Sequence, residues 1–335
     1  MSDLWNRLKC AVKPIVLYGM GDGADKVLNV FDRYGITVSA VFASDEFVRG
    51  HSFHGFKVMK FAEVCDLFGD FIIIVSFATA LPDVLDRIYK LSEQYELYIP
   101  DVPVVGDELF NAEFYRDNAD KINHARGLLY DDESRAMFDN IINYKLNGEI
   151  KYLTSSVTHD ILNRASYTSY ADLGAYNGDT VREMMAAAPH LTDIYAFEPD
   201  PRNFKKLSAI PNINAYNIAA WSEKTTLVFD RRGGRNSRIG RGGYETAADS
   251  LDNILQGRRV DHIKYDVEGA EYEALKGSAV TIKKYSPELT VSLYHRSGDI
   301  FDLVSYVHEL NPAYKLYIRR YPYIPAWDLN LYAVT

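Results

Sequence analysis

Cysteine is almost missing from this chain: Cys10 and Cys65 are the two among 335 residues. They fall in no metal-ligand or redox spacing. That excludes a disulfide framework or a cysteine zinc site and makes a reducing, cytoplasmic setting the expectation. Long hydrophobic runs are missing too. The longest starts at Phe71 and ends by Leu81, too short to span a bilayer. Asp3, Asn6, Arg7 and Lys9 break up the first ten residues and leave no signal-peptide core. Positive charge is in deficit, with a net charge of −9, which argues against a general nucleic-acid or anionic-membrane binder. Low-complexity sequence is confined to a Gly/Arg-rich segment at 231–243.

Aromatic residues are plentiful, at 13% with 25 Tyr, and tyrosine suits both half-buried strand positions and binding clefts. The length favours two domains, each able to bury its own core. Both halves alternate apolar strands with helical periodicity, so the expected class is α/β with two doubly wound domains.

In the first half, an apolar strand from Pro14 to Tyr18 runs into Gly19, Gly21 and Gly23, followed by Val27, Val30 and Phe31 at helical spacing. A second strand covers Thr37 to Phe42 and stops at Asp45 and Glu46. The run from Phe71 to Ser76 reads as a buried parallel strand, and Pro82 marks the first turn of the next helix. Residues 1–108 therefore read as a small Rossmann-like domain. Residues 109–160 read as a helical connector, with Phe138, Ile141, Ile142 and Leu146 forming its apolar stripe and Asn147-Gly148 its stop.

The second half, 161–335, opens on Y-A-D-L-G-A-Y-N-G-D-T, from Tyr170 to Thr180. A strand ends in Asp172 and enters a turn containing Gly174, Ala175, Tyr176, Asn177, Gly178 and Asp179. Glycine lets a ligand approach the backbone at such a turn. An acid at its mouth repels a pyrophosphate and favours a cationic ligand, as S-adenosylmethionine is at its amino and sulfonium groups. Thr180 through Glu183 match a capping box at the start of the next helix.

The next strand ends in Glu198, 26 residues after Asp172, where a carboxylate can accept both hydroxyls of a ribose. Asp200 and Pro201 read as the N-cap and first residue of a helix. A third strand, Asn214 to Ala220, ends in small residues, with Ala220 leaving room for an adenine ring and Trp221 able to cover it. A fourth, His262 to Val267, carries Lys264 and Asp266. Three strand-end acids, Asp172, Glu198 and Asp266, thus share one sheet edge, where open parallel sheets bind ligands.

The runs D-L-G-A-Y-N-G-D-T, A-F-E-P-D-P-R-N-F, N-I-A-A-W-S and I-K-Y-D-V-E-G-A-E-Y-E-A-L-K-G resemble, in order and spacing, the motif series of the FkbM-type methyltransferases. The resemblance implies a class I methyltransferase fold, with a seven-stranded sheet and an antiparallel terminal strand. It implies S-adenosyl-L-methionine as cofactor and O-methylation of a sugar, polysaccharide precursor or related natural product. It maps donor binding onto Asp172, Gly174, Asn177, Gly178, Asp179 and Glu198. The acceptor itself does not follow from it.

Methyl transfer to a hydroxyl needs a group to take the proton. His295, at the end of a strand from Leu289, has a suitable ordinary pKa, and Asp266 competes for the same role. Asp266 with Glu268 could also hold Mg²⁺ through oxygen ligands, although no metal-ligand spacing stands out. Lys264, inside a strand, is expected to pair with a neighbouring acid.

Arg231, Arg232, Arg235, Arg238 and Arg241 could form a lid over an anionic group on the acceptor. Tyr317, Arg319, Arg320, Tyr321, Trp327 and Asp328, around a terminal strand pair, could shape the acceptor pocket. The expected partners are a small-molecule or saccharide acceptor and a second copy in a homodimer.

A rival reading uses the N-terminal turn. Gly19 through Ala24, with Asp45 or Glu46 after the next strand, fits a loose dinucleotide fingerprint, as in an NAD-dependent oxidoreductase or sugar-nucleotide epimerase. Asp22 within the turn and the lack of a Tyr-x-x-x-Lys pair stand against it. Phe53-His54-Gly55 and Met59-Lys60 look more like the small Rossmann-like domain that precedes some sugar acyltransferases. Such a domain could bind a nucleotide-linked acceptor or mediate dimer contacts. A second rival is a non-catalytic scaffold, against which the intact acids at 172, 198 and 266 count.

Overall fold

The computed structural model describes residues 3–154, 161–229 and 244–335. The arginine-bearing segment 231–243, read above as a lid, lies outside them.

The first sheet has six strands in the order Ser52–Phe53, Phe56–Met59, Ala40–Phe42, Ile15–Tyr18, Ile72–Val75 and Glu96–Tyr98. All neighbours are parallel except the edge hairpin of the first two. The two central strands are buried along their whole length, as their unbroken apolar sequences require of a sheet covered on both faces. Helix Asp22–Tyr34 buries Val27, Val30 and Phe31, and ends at Gly35, whose φ of 68° closes a left-handed cap. Helix Pro82–Gln94 starts on its proline.

Helices Ala112–Asp117, Ala119–Leu128 and Asp132–Asn147 follow. The last buries Phe138, Ile141, Ile142 and Leu146 and stops at Gly148, whose N–H donates to the Tyr144 carbonyl. Each fully buried side chain of this size contributes roughly 1.5–3 kcal/mol. The stripe belongs to one apolar cluster that also takes in Val16 and Ile73 of the first sheet and Ala171 and Ile263 of the second.

The second sheet has seven strands, ordered Lys315–Arg320, Leu329–Val334, Glu288–Ser292, His262–Tyr265, Ser169–Leu173, Asp193–Phe197 and Asn214–Tyr216. The last five in that order are parallel, and Leu329–Val334 is inserted antiparallel between Glu288–Ser292 and Lys315–Arg320. This is the α/β class with the antiparallel terminal strand expected from the sequence.

Two local expectations fail. The third strand does not run from Asn214 to Ala220. It stops at Tyr216, and Ala219–Ala220 joins a separate small sheet with Tyr244–Asp249 and Thr225–Phe229. Nor is there a capping box at Thr180. The helix begins at Asp179, its N-cap is Gly178 in a left-handed conformation, and the Thr180 hydroxyl donates to Asp172 instead. A buried carboxylate beneath the helix outcompetes the local cap.

Candidate functional site

A cavity of about 670 Å³ opens at the carboxyl ends of the second sheet's parallel strands. Its size is that of a small-ligand site. The turn after Ser169–Leu173 forms one wall. Gly174 has φ 92°, and a Cβ there would lie 1.9 Å from the Asp266 carbonyl oxygen, so only glycine fits. The Gly174 and Ala175 amides both donate to the Phe197 carbonyl, which ties the turn to the next strand.

Of the residues expected to bind the donor, Gly174, Tyr176, Asp179, Glu198 and Ala220 line the cavity. Ala175 is buried behind the turn. Asn177 accepts the Asp179 N–H, and Gly178 packs against Ile210. Asp172 is fully buried. It accepts the Thr180 hydroxyl, and Lys264 Nζ lies 3.5 Å from its other oxygen. The cation that its charge demands is therefore supplied by the chain itself, and Asp172 sits behind the wall, not at its surface. Trp221 also departs from expectation. It packs against Ala219 and Ala248 of the small sheet, as Leu227 does, and does not line the cavity.

Glu198 is 6% exposed, and its Oε1 accepts the Asp200 N–H at 2.8 Å. Burial pushes its carboxyl up to about 7, partly offset by backbone N–H groups of Asp200 and Tyr176. Asp200 caps its helix as expected, accepting from the Arg202 and Asn203 amides, and this fixes the Glu198 strand end.

The opposite wall is acidic. Asp266 lines the cavity, with Lys264 Nζ at 3.3 Å and the Tyr294 hydroxyl donating at 3.2 Å. Burial would raise its carboxyl, but Lys264 and His295 outweigh that and hold it below the ordinary value. Lys264 itself would be lowered by burial, yet Asp172 and Asp266 raise it, so it stays charged between the two. Glu268 lines the cavity with a positive φ of 53°. Burial first, and the neighbouring acids next, push it up to about 7 against the pull of His295. His262, on the same floor, is lowered to about 3 by burial, with Arg164 and Lys264 adding to it, and stays neutral.

His295 does not face the cavity as the sequence reading had it. It is fully buried one layer behind Asp266 and Glu268, with Nε2 3.6 Å from a carboxylate oxygen of each and Nδ1 3.0 Å from Glu271. Burial favours its neutral form, but Glu271, Glu268 and Asp266 together push it up to about 10. Buried behind these carboxylates, the imidazole does not touch the cavity in which an acceptor would sit. An all-oxygen Mg²⁺ pair of Asp266 and Glu268 is not supported either, since a ring nitrogen stands between them.

The rim comes from the C-terminal strand pair. Tyr321, Trp327 and Asp328 line the cavity, joined by Tyr323, which the sequence reading missed. Tyr317, Arg319 and Arg320 do not. Arg319 pairs with Asp131 at 2.7 Å, and Arg320 donates to the Leu153 and Tyr323 carbonyls. The segment after strand Ile72–Val75 holds this rim: the amides and carbonyls of Thr79 and Ile324 exchange two hydrogen bonds, at 2.7 and 2.9 Å. Tyr294 was also missed. Its only sequence signal is that it precedes His295 at a strand end.

The N-terminal glycine turn does not reproduce this architecture. A Cβ on Gly19 would meet Phe77 at 2.8 Å, and one on Gly23 would meet the Ser76 carbonyl at 2.4 Å. These glycines serve close packing of the chain on itself, and the dinucleotide reading is not favoured.

Residues 172–323 match the family model described as the methyltransferase FkbM domain. The structure resembles that of a methyltransferase FkbM from Methylobacillus flagellatus KT, at 20% identity and a TM-score of 0.75, covering 96% of this chain and 90% of that one. A looser likeness, at 13% identity and a TM-score of 0.34, is to Aeropyrum pernix fibrillarin solved with natively bound S-adenosyl-L-methionine; it covers 52% of this chain and 69% of that one. No curated protein sequence matches the chain. Among the described residues, no helix is long and apolar enough to cross a membrane. Residues 172–323 thus match the methyltransferase FkbM domain and share its fold, and a six-stranded, mostly parallel sheet precedes them in the chain.

Proposed function

We propose that the chain transfers a methyl group from S-adenosyl-L-methionine to a hydroxyl of a sugar, polysaccharide precursor or related natural product. The observation that carries this reading is the cavity bounded by Gly174, Glu198 and Ala220 on one side and by Asp266 on the other. Glu198 would serve as a buried acceptor for ribose hydroxyls, and the small side chains of Ala219 and Ala220 line the same cavity, where a base would lie. Tyr176 and Asp179 offer polar contacts where the amino-acid end of the donor would lie.

The bound donor would supply a methyl group on a sulfonium, open to in-line displacement. The chain's task is alignment and proton removal. The chain's own part in that transfer would be to receive the acceptor hydroxyl's proton on the acidic wall. Asp266 is the ionised carboxylate there, held in place by Tyr294 and Lys264. His295 acts behind it, keeping the wall charged and ordered. Tyr323 and Trp327, with ring planes 29° apart, offer apolar faces to an acceptor such as a sugar ring.

Isothermal titration tests the donor assignment. S-adenosylhomocysteine should bind and NAD should not, and the opposite pattern overturns the reading. Glu198→Ala should weaken that binding at least about tenfold, the loss of one or two hydrogen bonds to a charged group.

A further inference from the structure

We propose that His295, with Asp266 and Glu268 in front of it, binds a divalent transition-metal ion, and that Glu271 orients the imidazole from behind. His295 is fully buried, yet its Nε2 makes no hydrogen bond. Nε2 points between two carboxylates that line the cavity, 3.6 Å from Asp266 Oδ1 and 3.6 Å from Glu268 Oε2. That is too long for an N–H···O bond, which runs roughly 2.7–3.2 Å. It is close to the separation of two ligands sharing one ion with bonds of about 2.1 Å.

The far side of the ring fits the same picture. A metal-bound histidine almost always presents its other nitrogen to a carboxylate, which fixes the tautomer. Here Nδ1 lies 3.0 Å from Glu271 Oε1, and Glu271 is 1% exposed. That carboxylate is itself anchored by the Val267 and Gly269 N–H groups, at 2.9 and 3.3 Å. Donor atoms of Asp266, Glu271 and His295 all lie within 4.8 Å of one another. Three carboxylates thus surround one imidazole, and Lys264, the cation beside Asp266, is shared with Asp172. A fixed cation would balance the excess.

One nitrogen and two carboxylate oxygens form a mixed set that suits Mn²⁺ or Fe²⁺ better than Mg²⁺ or Ca²⁺, which prefer oxygen alone. An ion there would take the place of a proton on Nε2. Asp266 and Glu268 face the cavity, so its remaining positions would face the bound acceptor. On the methyl-transfer reading, the ion would bind the acceptor hydroxyl and lower its pKa. Ion binding itself does not depend on that reading.

The test is a Mn²⁺ titration of the metal-free full chain, without donor, followed by the loss of the free-ion electron paramagnetic resonance signal. The expected result is saturable binding of one Mn²⁺ per chain. His295→Ala and Glu268→Gln should each weaken it at least about tenfold, and Glu271→Gln by about 10–100-fold, as for a carboxylate behind a ligand. No binding by the folded wild-type chain at millimolar Mn²⁺ overturns the proposal. So does unchanged affinity in Glu268→Gln, which sits on the cavity wall and decides the matter if His295→Ala does not fold. S-adenosylhomocysteine affinity, measured alongside, reports the donor site separately, so failure of one reading is not failure of the other.

Discussion

The α-carbon of Gly174 faces the Asp266 carbonyl so closely that a Cβ would lie 1.9 Å from that oxygen. The contact joins the turn after one strand to the acid at the end of its neighbour and so fixes the distance across the cavity. Gly174→Ala meets both this clash and a φ of 92°. It should destabilise the chain by at least about 2 kcal/mol in urea unfolding, because backbone on both sides must move. A variant of wild-type stability would show that the two walls are not locked together.

Lys264 bridges Asp172 and Asp266 at 3.5 and 3.3 Å, and Asp172 has no exposure at all. Lys264→Met leaves that buried carboxylate without its cation, which typically costs about 3–5 kcal/mol. Adding Asp172→Asn removes the orphaned charge and should restore much of the loss. A double variant no more stable than the single one would show that the pair is not coupled. Chemical denaturation of the four chains of this cycle gives the answer.

These two contacts mark how far the sequence could be read. The three strand-end acids were legible because each closes an apolar run, and Asp200 and Pro201 because capping is local. That Lys264 pairs with an acid was legible too, but not that Asp172 is one of its partners, because Lys264 comes from a strand 92 residues later and that pairing exists only once the strands align. The same holds for His295. Its sequence position gives the strand end but not depth, and the backbone contact in which the Val105 N–H donates to the His295 carbonyl exists only once distant parts of the chain meet. Trp221 was misplaced because the third strand breaks at Tyr216 and the chain leaves the main sheet before it.

Thr79 and Ile324 offer a test of whether the N-terminal part of the chain supports the site. Thr79→Pro removes the N–H that donates to the Ile324 carbonyl at 2.7 Å. Hydrogen exchange at Tyr321, Tyr323 and Trp327 should then quicken at least about tenfold, while the amides of Ser169–Leu173 keep their protection. If the rim exchanges no faster, its order comes from the C-terminal strand pair alone.

Glu198 gives the site a pH signature. Burial raises its carboxyl from the ordinary 4.5 to about 7, so between these values the folded chain holds a proton that the unfolded chain has lost. Its contribution to stability is therefore present in full below about 4.5 and is lost as pH rises through about 7. Glu198→Gln, which cannot ionise, should match wild type near pH 4 and exceed it at pH 8 by on the order of 2 kcal/mol. Urea unfolding at the two pH values measures this, and a gap that does not grow with pH rules out the buried carboxyl as its cause. Donor binding should move the opposite way. The ionised carboxylate is the better acceptor for ribose hydroxyls, so S-adenosylhomocysteine should bind wild type more tightly at pH 8 than at pH 6. In Glu198→Gln that dependence should flatten, because the group whose proton is displaced is no longer there.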